Sequence, residues 1–492
     1  MTAPSIAPAP APLAPTLPAD VPESRRWMLA SHGFGLAAAA VVAWYVAHIP
    51  VQMSDSLGNL LQVRAVSYQR LFFDQLIAKG FLRPLLWVQI KLAYDVAGGH
   101  YWLAFKAIHT LQLLAMAVLT VRLLRVRSYL DAAAVPLVMA VVFGLHTFNG
   151  TVREAHPVNA FLTMVVCVLL AINLSTLRPR LRVDVFAAVL LAFAALTVES
   201  GLLVGVALVA GRLVGLKGVS RGGVVVCLAV VAGYLALRFG VVQNGFPGLD
   251  ERSSGFGVRV LDPSELMARF GARPLVLYAY NVLAALMTVL FSEPRGGVFE
   301  LGKRWVLNDD VPEWLALDIG TSLLTTMLCT VWGIQAIRRW RARRTSYADR
   351  VAGVACAVLV ANAVMSYGYT KDVIMSPGGV CFALVVYAAV RSLAEPAVAP
   401  VAGRIMAAVL VSCVAAGWAV RAAALPVLLT EWAFKTRNDW ATVYPWLEGQ
   451  RIAVTLPEER ALVETLRRAA LNMPVPHPDR PVPGYFRYFD LQ

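Results

Sequence analysis

The chain has 492 residues, of which 58% are apolar and only 15% charged, where a soluble protein carries roughly 25% charged residues. A mean hydropathy of +0.64 is more apolar surface than soluble domains can hide from water, so the composition excludes them, together with a disordered or collagen-like chain. Six cysteines, all inside apolar runs (Cys167, Cys227, Cys329, Cys356, Cys381 and Cys413), exclude a disulfide scaffold, and the net charge of +14 is explained by where it sits.

Residues 1–22 hold seven prolines among Ala, Ser and Thr and no Lys or Arg, which predicts a solvated tail (1–24) rather than a signal peptide. Arg25 and Arg26 then precede the first apolar run, 28–49, long enough to cross a hydrocarbon core of roughly 30 Å. Further runs follow at 101–123, 131–149, 157–176, 184–198, 201–216, 222–242, 315–337, 349–368, 377–394 and 404–424. The fold class expected is therefore an all-α polytopic membrane protein of about eleven transmembrane helices with extracytoplasmic loop helices.

Lys and Arg concentrate in the cytoplasmic loops of membrane proteins. Counted from Arg25 and Arg26, every second connection collects arginines, so one side holds nineteen Lys and Arg against six Asp and Glu, the other 25 against 24. The excess is a topology signal, and no nucleic-acid partner is needed to explain it. It places loops 50–100 and 243–314 and the segment 425–492 outside, flanking a membrane domain of residues 25–424. The short runs 184–198 and 201–216, with Glu199 between them, read as a hairpin whose tip dips in from outside. The apolar stretch 272–291 reads as interfacial or re-entrant, since a crossing there would put the arginines after Arg338 on the wrong side. Loops this long are uncommon unless functional.

The outer side carries the chemistry-bearing residues. Asp55, in Gln52-Met53-Ser54-Asp55-Ser56, is a general base, a cation ligand, or part of a helix cap. Arg83, in Phe81-Leu82-Arg83-Pro84-Leu85-Leu86, is a phosphate partner or an ordinary interfacial arginine. His109, two turns into a span, is functional or a packing histidine. The turn from Leu145 to Pro157 brings His146, Arg153, Glu154 and His156 together, in a spacing that fits no closed zinc pattern and suits polar contacts to a ligand. Glu199, in Thr197-Val198-Glu199-Ser200-Gly201, is costly to bury and requires a cationic partner. Lys371 and Asp372 form an outer tip before the tenth run and are a phosphate contact or a plain salt bridge. Motifs of P-loop ATPases, zincins and serine hydrolases are missing from the sequence.

Taken together, these pieces resemble the GT-C class of integral-membrane glycosyltransferases, closest to the branch of the transmembrane-tetratricopeptide O-mannosyltransferases and their bacterial relatives. An acid soon after the first span corresponds to Asp55, an (F/Y)RPL segment to Phe81-Leu82-Arg83-Pro84-Leu85, and an LLLH run to Ala107-Ile108-His109. His146 matches an HP turn with Thr147 in place of the proline. Val198-Glu199-Ser200-Gly201 matches a KESG tip without its lysine, and Lys371 through Gly379 an RYxYLPSxG tip with Lys for Arg and its Pro and Ser exchanged. The similarity covers 28–220 and, more loosely, 365–395; loop 243–314 and the tail have no counterpart, and no tetratricopeptide array follows.

The resemblance implies a polyprenyl-phosphate sugar as donor, with Asp55 as the base that activates an acceptor hydroxyl for inverting attack. The acceptor would be an envelope glycan, lipid or exported protein. Arg83, Lys371 and Arg269 or Arg273 would hold the donor phosphate. His109, His146, Arg153, Glu154, His156, Glu199 and Asp372 would shape the pocket. A divalent cation is compatible with this chemistry, though nothing in the sequence requires one, and no other cofactor is implied. Ala-, Val- and Arg-rich usage suits a bacterial inner membrane, with the site facing the periplasm or exterior. A transporter or flippase for a lipid-linked glycan, and a non-catalytic scaffold docking a partner through 425–492, are the alternative readings.

Overall fold

The computed structural model describes residues 24–77, 82–153, 157–241, 249, 253–257, 259–293, 296–368, 370–394 and 401–475. The described residues are almost entirely helical. Helix α1 (Arg25–Ala47) leads to three outer-loop helices, α2 (Asp55–Val63), α3 (Tyr68–Ile77) and α4 (Pro84–Ala97), and then to α5 (Tyr101–Leu124). Next come α6 (Tyr129–Gly144), α7 (His146–Arg153), α8 (Ala160–Ser175), α9 (Leu181–Thr197), α10 (Leu202–Leu213) and α11 (Arg221–Leu235), the last continuing as a π-helical turn Ala236–Val241. A small antiparallel hairpin, β1 (Ser254–Phe256) and β2 (Arg259–Leu261), precedes α12 (Pro263–Phe270), α13 (Pro274–Phe291) and α14 (Val298–Leu307). The chain ends in α15 (Glu313–Arg341), α16 (Tyr347–Met365), α17 (Ser376–Ala394), α18 (Val401–Asp439), α19 (Val443–Gly449) and α20 (Pro457–Leu471).

Helix α17 is apolar all round and buried along almost its whole length, as a helix with no polar face must be. It is the axis of the bundle, with α6, α8, α15 and α16 packed around it. Among the described residues eight helices are long and apolar enough to cross a membrane, and α6 with α7, bent by 66° at Leu145, makes a ninth if the pair is one span. The bend follows from packing: a Cβ on Gly144 would stand 3.0 Å from Trp418 and 3.1 Å from Arg421, so α18 presses on the chain where α6 stops. The runs expected at 157–176, 184–198 and 201–216 are helices of 16, 17 and 12 residues, shorter than the eight candidate spans.

The ends of the helices sort into two groups. At the arginine-rich end Arg125 lies over the ring of Tyr347, Arg350 donates to the Gly215 carbonyl (3.2 Å), and Arg339 and Arg391 pair with Asp349 and Asp131. At the opposite end Gln52 donates to the Arg153 carbonyl, Gln89 to Thr197, and Asn281 to the Tyr367 carbonyl. This grouping has the alternation that the distribution of basic residues predicts.

Helix α13 has the length and composition of a span. Asn281 is bonded near the end of α16, at the Tyr367 carbonyl, while the Leu290 carbonyl accepts from Thr326, near the middle of α15. The chain then turns at Ser292 (φ 58°) and returns through α14 to the start of α15. Deep in the same region Arg421 pairs with Asp318 (3.3 Å) and donates to Ser292 and Ser322, all four being buried.

Helix α18 runs through residue 424 without a break, with Leu425, Leu428, Leu429 and Ala433 still buried in the core of the bundle. Trp440, Val443, Leu447, Leu462, Val463 and Leu466 then bury themselves against Leu57, Leu60 and Val63 of α2 and Ile90 of α4. Trp440 also donates its indole N–H to the Val51 carbonyl (2.6 Å). Residues 440–470 therefore share one apolar core with the helices of loop 50–100.

Candidate active site

Glu199 occupies a tip built by one glycine. Helix α9 ends at Thr197, Val198 is extended, Glu199–Gly201 form a 3₁₀ turn, and α10 begins at Leu202. A Cβ on Gly201 would lie 2.1 Å from the carbonyl of Ala194, so only glycine lets α10 start directly against the end of α9. Across from this tip, Arg83 is the N-cap residue of α4, and Pro84 behind it fixes the first helical position. Its Nε and Nη2 donate to Glu199 Oε2 at 2.9 and 2.7 Å. Arg238, on the π-helical turn that widens the end of α11, stands 3.5 Å from Glu199 Oε1 and donates to the Tyr234 hydroxyl (3.3 Å). Such single wide turns recur at functional sites.

Two guanidinium groups thus share one carboxylate. The cluster lines a cavity of about 230 Å³ whose wall is otherwise mostly apolar and aromatic, including Phe161, Tyr234, Phe239, Met365 and Tyr367, with Ser200 and Ser366 as further polar residues. The side chains of Arg83, Glu199 and Arg238 are only 27%, 17% and 12% exposed, so water screens their charges weakly. The arrangement suits an anionic group attached to an apolar chain.

The other sequence candidates fall around this cavity rather than in it. Ser54 holds the N-cap position of α2 without making a capping bond, and Asp55 is the first helical residue, exposed. Among the described residues the Asp55 carboxylate makes no hydrogen bond or ion pair. Its segment is anchored by Gln52 on Arg153, whose guanidinium lies 4.6 Å from the Trp432 ring centre. His109 is buried and its Nε2 is 3.4 Å from the Asn159 amide nitrogen, which also donates to the Thr151 carbonyl. His146 is buried at the start of α7, a helix that packs against the turn Asp372–Met375. Gly150 permits that approach, since a Cβ there would meet Val373 at 2.6 Å. Lys371 is exposed just before this turn, with Asp372 its first residue; Ile374, two positions on, lines the cavity. Arg269 is exposed over Phe256 of the hairpin, and exposed Arg273 caps α13. Neither lines the cavity. Glu154 and His156 lie outside the described residues, and among those described no group of three or more His, Cys, Asp or Glu is placed to hold a metal ion.

Two residues escaped the sequence reading. Arg238 belongs to a run read as a plain span; the signal was a lone arginine in its last turn. Lys106 is 5% exposed, one turn before His109 on the same helix face, and among the described residues its ammonium has no partner. Comparison with protein-family models gives no match, and a search of curated proteins finds none similar to the chain.

Proposed function

We propose that the chain is a GT-C-type glycosyltransferase that moves a sugar from a polyprenyl-phosphate donor to a glycan, lipid or exported protein, at the end of the bundle opposite the arginine-rich one. In a bacterial inner membrane that end faces the periplasm or exterior. The observation that carries the reading is the pair Arg83 and Arg238 on Glu199, bordering an apolar cavity. The donor phosphodiester has one negative charge, the kind of group that guanidinium forks bind. As the anomeric C–O bond breaks, its electron pair goes to the phosphate oxygen, and the leaving polyprenyl phosphate gains a second charge. Two preorganised guanidinium groups stabilise that developing charge more than the ground state. Asp55, outside the cavity wall, accepts the proton of the acceptor hydroxyl as its oxygen attacks the anomeric carbon with inversion. Lys371, just before the turn whose Ile374 lines the cavity, is the third candidate cation.

Binding of polyprenyl-phosphate sugars to the purified, lipid-reconstituted chain tests the reading. Arg83→Gln and Arg238→Gln should each weaken retention of the donor by roughly tenfold, the low end of a lost charged hydrogen bond. Arg269→Gln and Arg273→Gln, away from the cavity, should leave it unchanged. Equal retention by all four variants would remove the phosphate from this cavity.

A further inference from the structure

A second cavity, of about 210 Å³, lies at the arginine-rich end, where α1 and α16 begin and α5 and α8 end. Arg122, Arg125, His32, Thr176 and Tyr347 border it, and no carboxylate does. Two helix N-termini and two C-termini meet here, so their dipoles largely offset one another and the side chains set the field. The described acids that lie near this end are engaged elsewhere: Asp131 with Arg391 and Tyr387, Asp184 with Ser220, and Asp349 with Arg339 and Trp332. Among the described residues neither Arg122 nor Arg125 forms an ion pair.

Arg125 is held in a costly way. It closes α5 in the left-handed region (φ 45°, ψ 66°), a position where glycine sits without strain, and its guanidinium is clamped 3.7 Å from the centre of the Tyr347 ring. An arginine needed only to mark the cytoplasmic side of a membrane requires neither the strained backbone nor the aromatic clamp. His32 spends its Nδ1 on the Met28 carbonyl (2.9 Å), which fixes the ring and leaves Nε2 for the cavity. We propose that this cavity binds a phosphate ester through Arg122 and Arg125, at the end of the molecule opposite the proposed transferase site and independently of it. A lipid headgroup and a soluble phosphate compound share this chemistry, and the test separates them.

The full-length chain in nonionic micelles is given phosphatidic acid, diacylglycerol with the same acyl chains, or inorganic phosphate against chloride at equal ionic strength. Retained lipid is read by native mass spectrometry and stability by the thermal midpoint. Phosphatidic acid should be retained and raise the midpoint, whereas diacylglycerol should do neither. If inorganic phosphate raises the midpoint as much, the ligand is a soluble phosphate; if it does not, a lipid headgroup is the ligand. Arg125→Gly removes the guanidinium while relieving the strained backbone, so without additives it should unfold at the same or a higher temperature. Arg125→Gly and Arg122→Gln should each retain roughly tenfold less phosphatidic acid, and Arg341→Gln, exposed at the same end but off the cavity, should retain it normally. Equal retention of the two lipids by wild type, unchanged retention by both cavity variants, or an equal loss in Arg341→Gln would overturn the proposal.

Discussion

Arg83 places two hydrogen bonds, 2.9 and 2.7 Å long, on a single oxygen of Glu199 and leaves the other oxygen to Arg238. Residues 116 positions apart in the chain are joined by this contact, which ties the first outer loop to the tip between α9 and α10. Removing the acid leaves two guanidinium groups facing each other. Glu199→Ala should therefore lower stability by about 1–3 kcal/mol, less than for a fully buried pair because these side chains are 27% and 17% exposed. Glu199→Gln, which keeps an acceptor, should cost less. Thermal unfolding in micelles reads both, and a Glu199→Ala chain as stable as wild type would mean that the contact contributes nothing.

Gly201 tests how the tip is built. Because a Cβ there would meet the Ala194 carbonyl at 2.1 Å, Gly201→Ala has to push α10 away from α9 and carry Glu199 with it. The variant should lose about 2 kcal/mol or more, in the range of overpacked cores, and weaken donor binding together with stability. Gly302→Ala, at a position with open space around it, serves as the control and should be neutral.

The ion pair of Arg421 and Asp318 lies among apolar helices, with side chains 1% and 2% exposed. Arg421→Met should destabilise the protein by about 3–5 kcal/mol, because it strands a buried carboxylate. Adding Asp318→Leu to that variant should restore much of the loss. A double variant no more stable than the single one would show that the serines, and not the missing charge, dominate the cost.

Trp440 joins the C-terminal segment to the first outer loop. Trp440→Ala should cost about 3–5 kcal/mol, the usual range for a fully buried tryptophan, and should free the loop that bears Asp55. Limited proteolysis within 50–100 should then quicken before the bundle unfolds. Removing 425–492 should expose the same loop, so loss of activity in that truncation would follow from folding and would not by itself identify a partner-docking tail.

Much of this was legible in the sequence. Apolar runs and the placement of arginines separate the two ends of the bundle, and the cost of burying Glu199 predicts a cationic partner. Which cation answers it was not legible, since Arg83 and Arg238 are brought to Glu199 by tertiary packing and by a π-helical turn that no local pattern announces. The place of α13 against its neighbours likewise depends on Asn281 finding the Tyr367 carbonyl and Thr326 the Leu290 carbonyl, pairings between distant residues. The course of α18 past residue 424 escaped because polar residues enter there, although the helix persists on the buried faces of Leu429 and Ala433. His109 illustrates the ambiguity of a polar residue in a span: its partner, Asn159, also caps α8, which gives it a packing role whatever else it does.

The most direct measurement compares wild type with Asp55→Asn, both reconstituted in lipid and given a panel of polyprenyl-phosphate sugars, with release of free polyprenyl phosphate followed by mass spectrometry. The account predicts release by wild type with at least one sugar and a fall of roughly 10²–10⁴-fold in the variant, the usual contribution of a general base. Release unaffected by Asp55→Asn would contradict the assignment of the base. Donor binding without release by either protein, even with acceptors present, would contradict the transferase and favour a carrier of lipid-linked sugars.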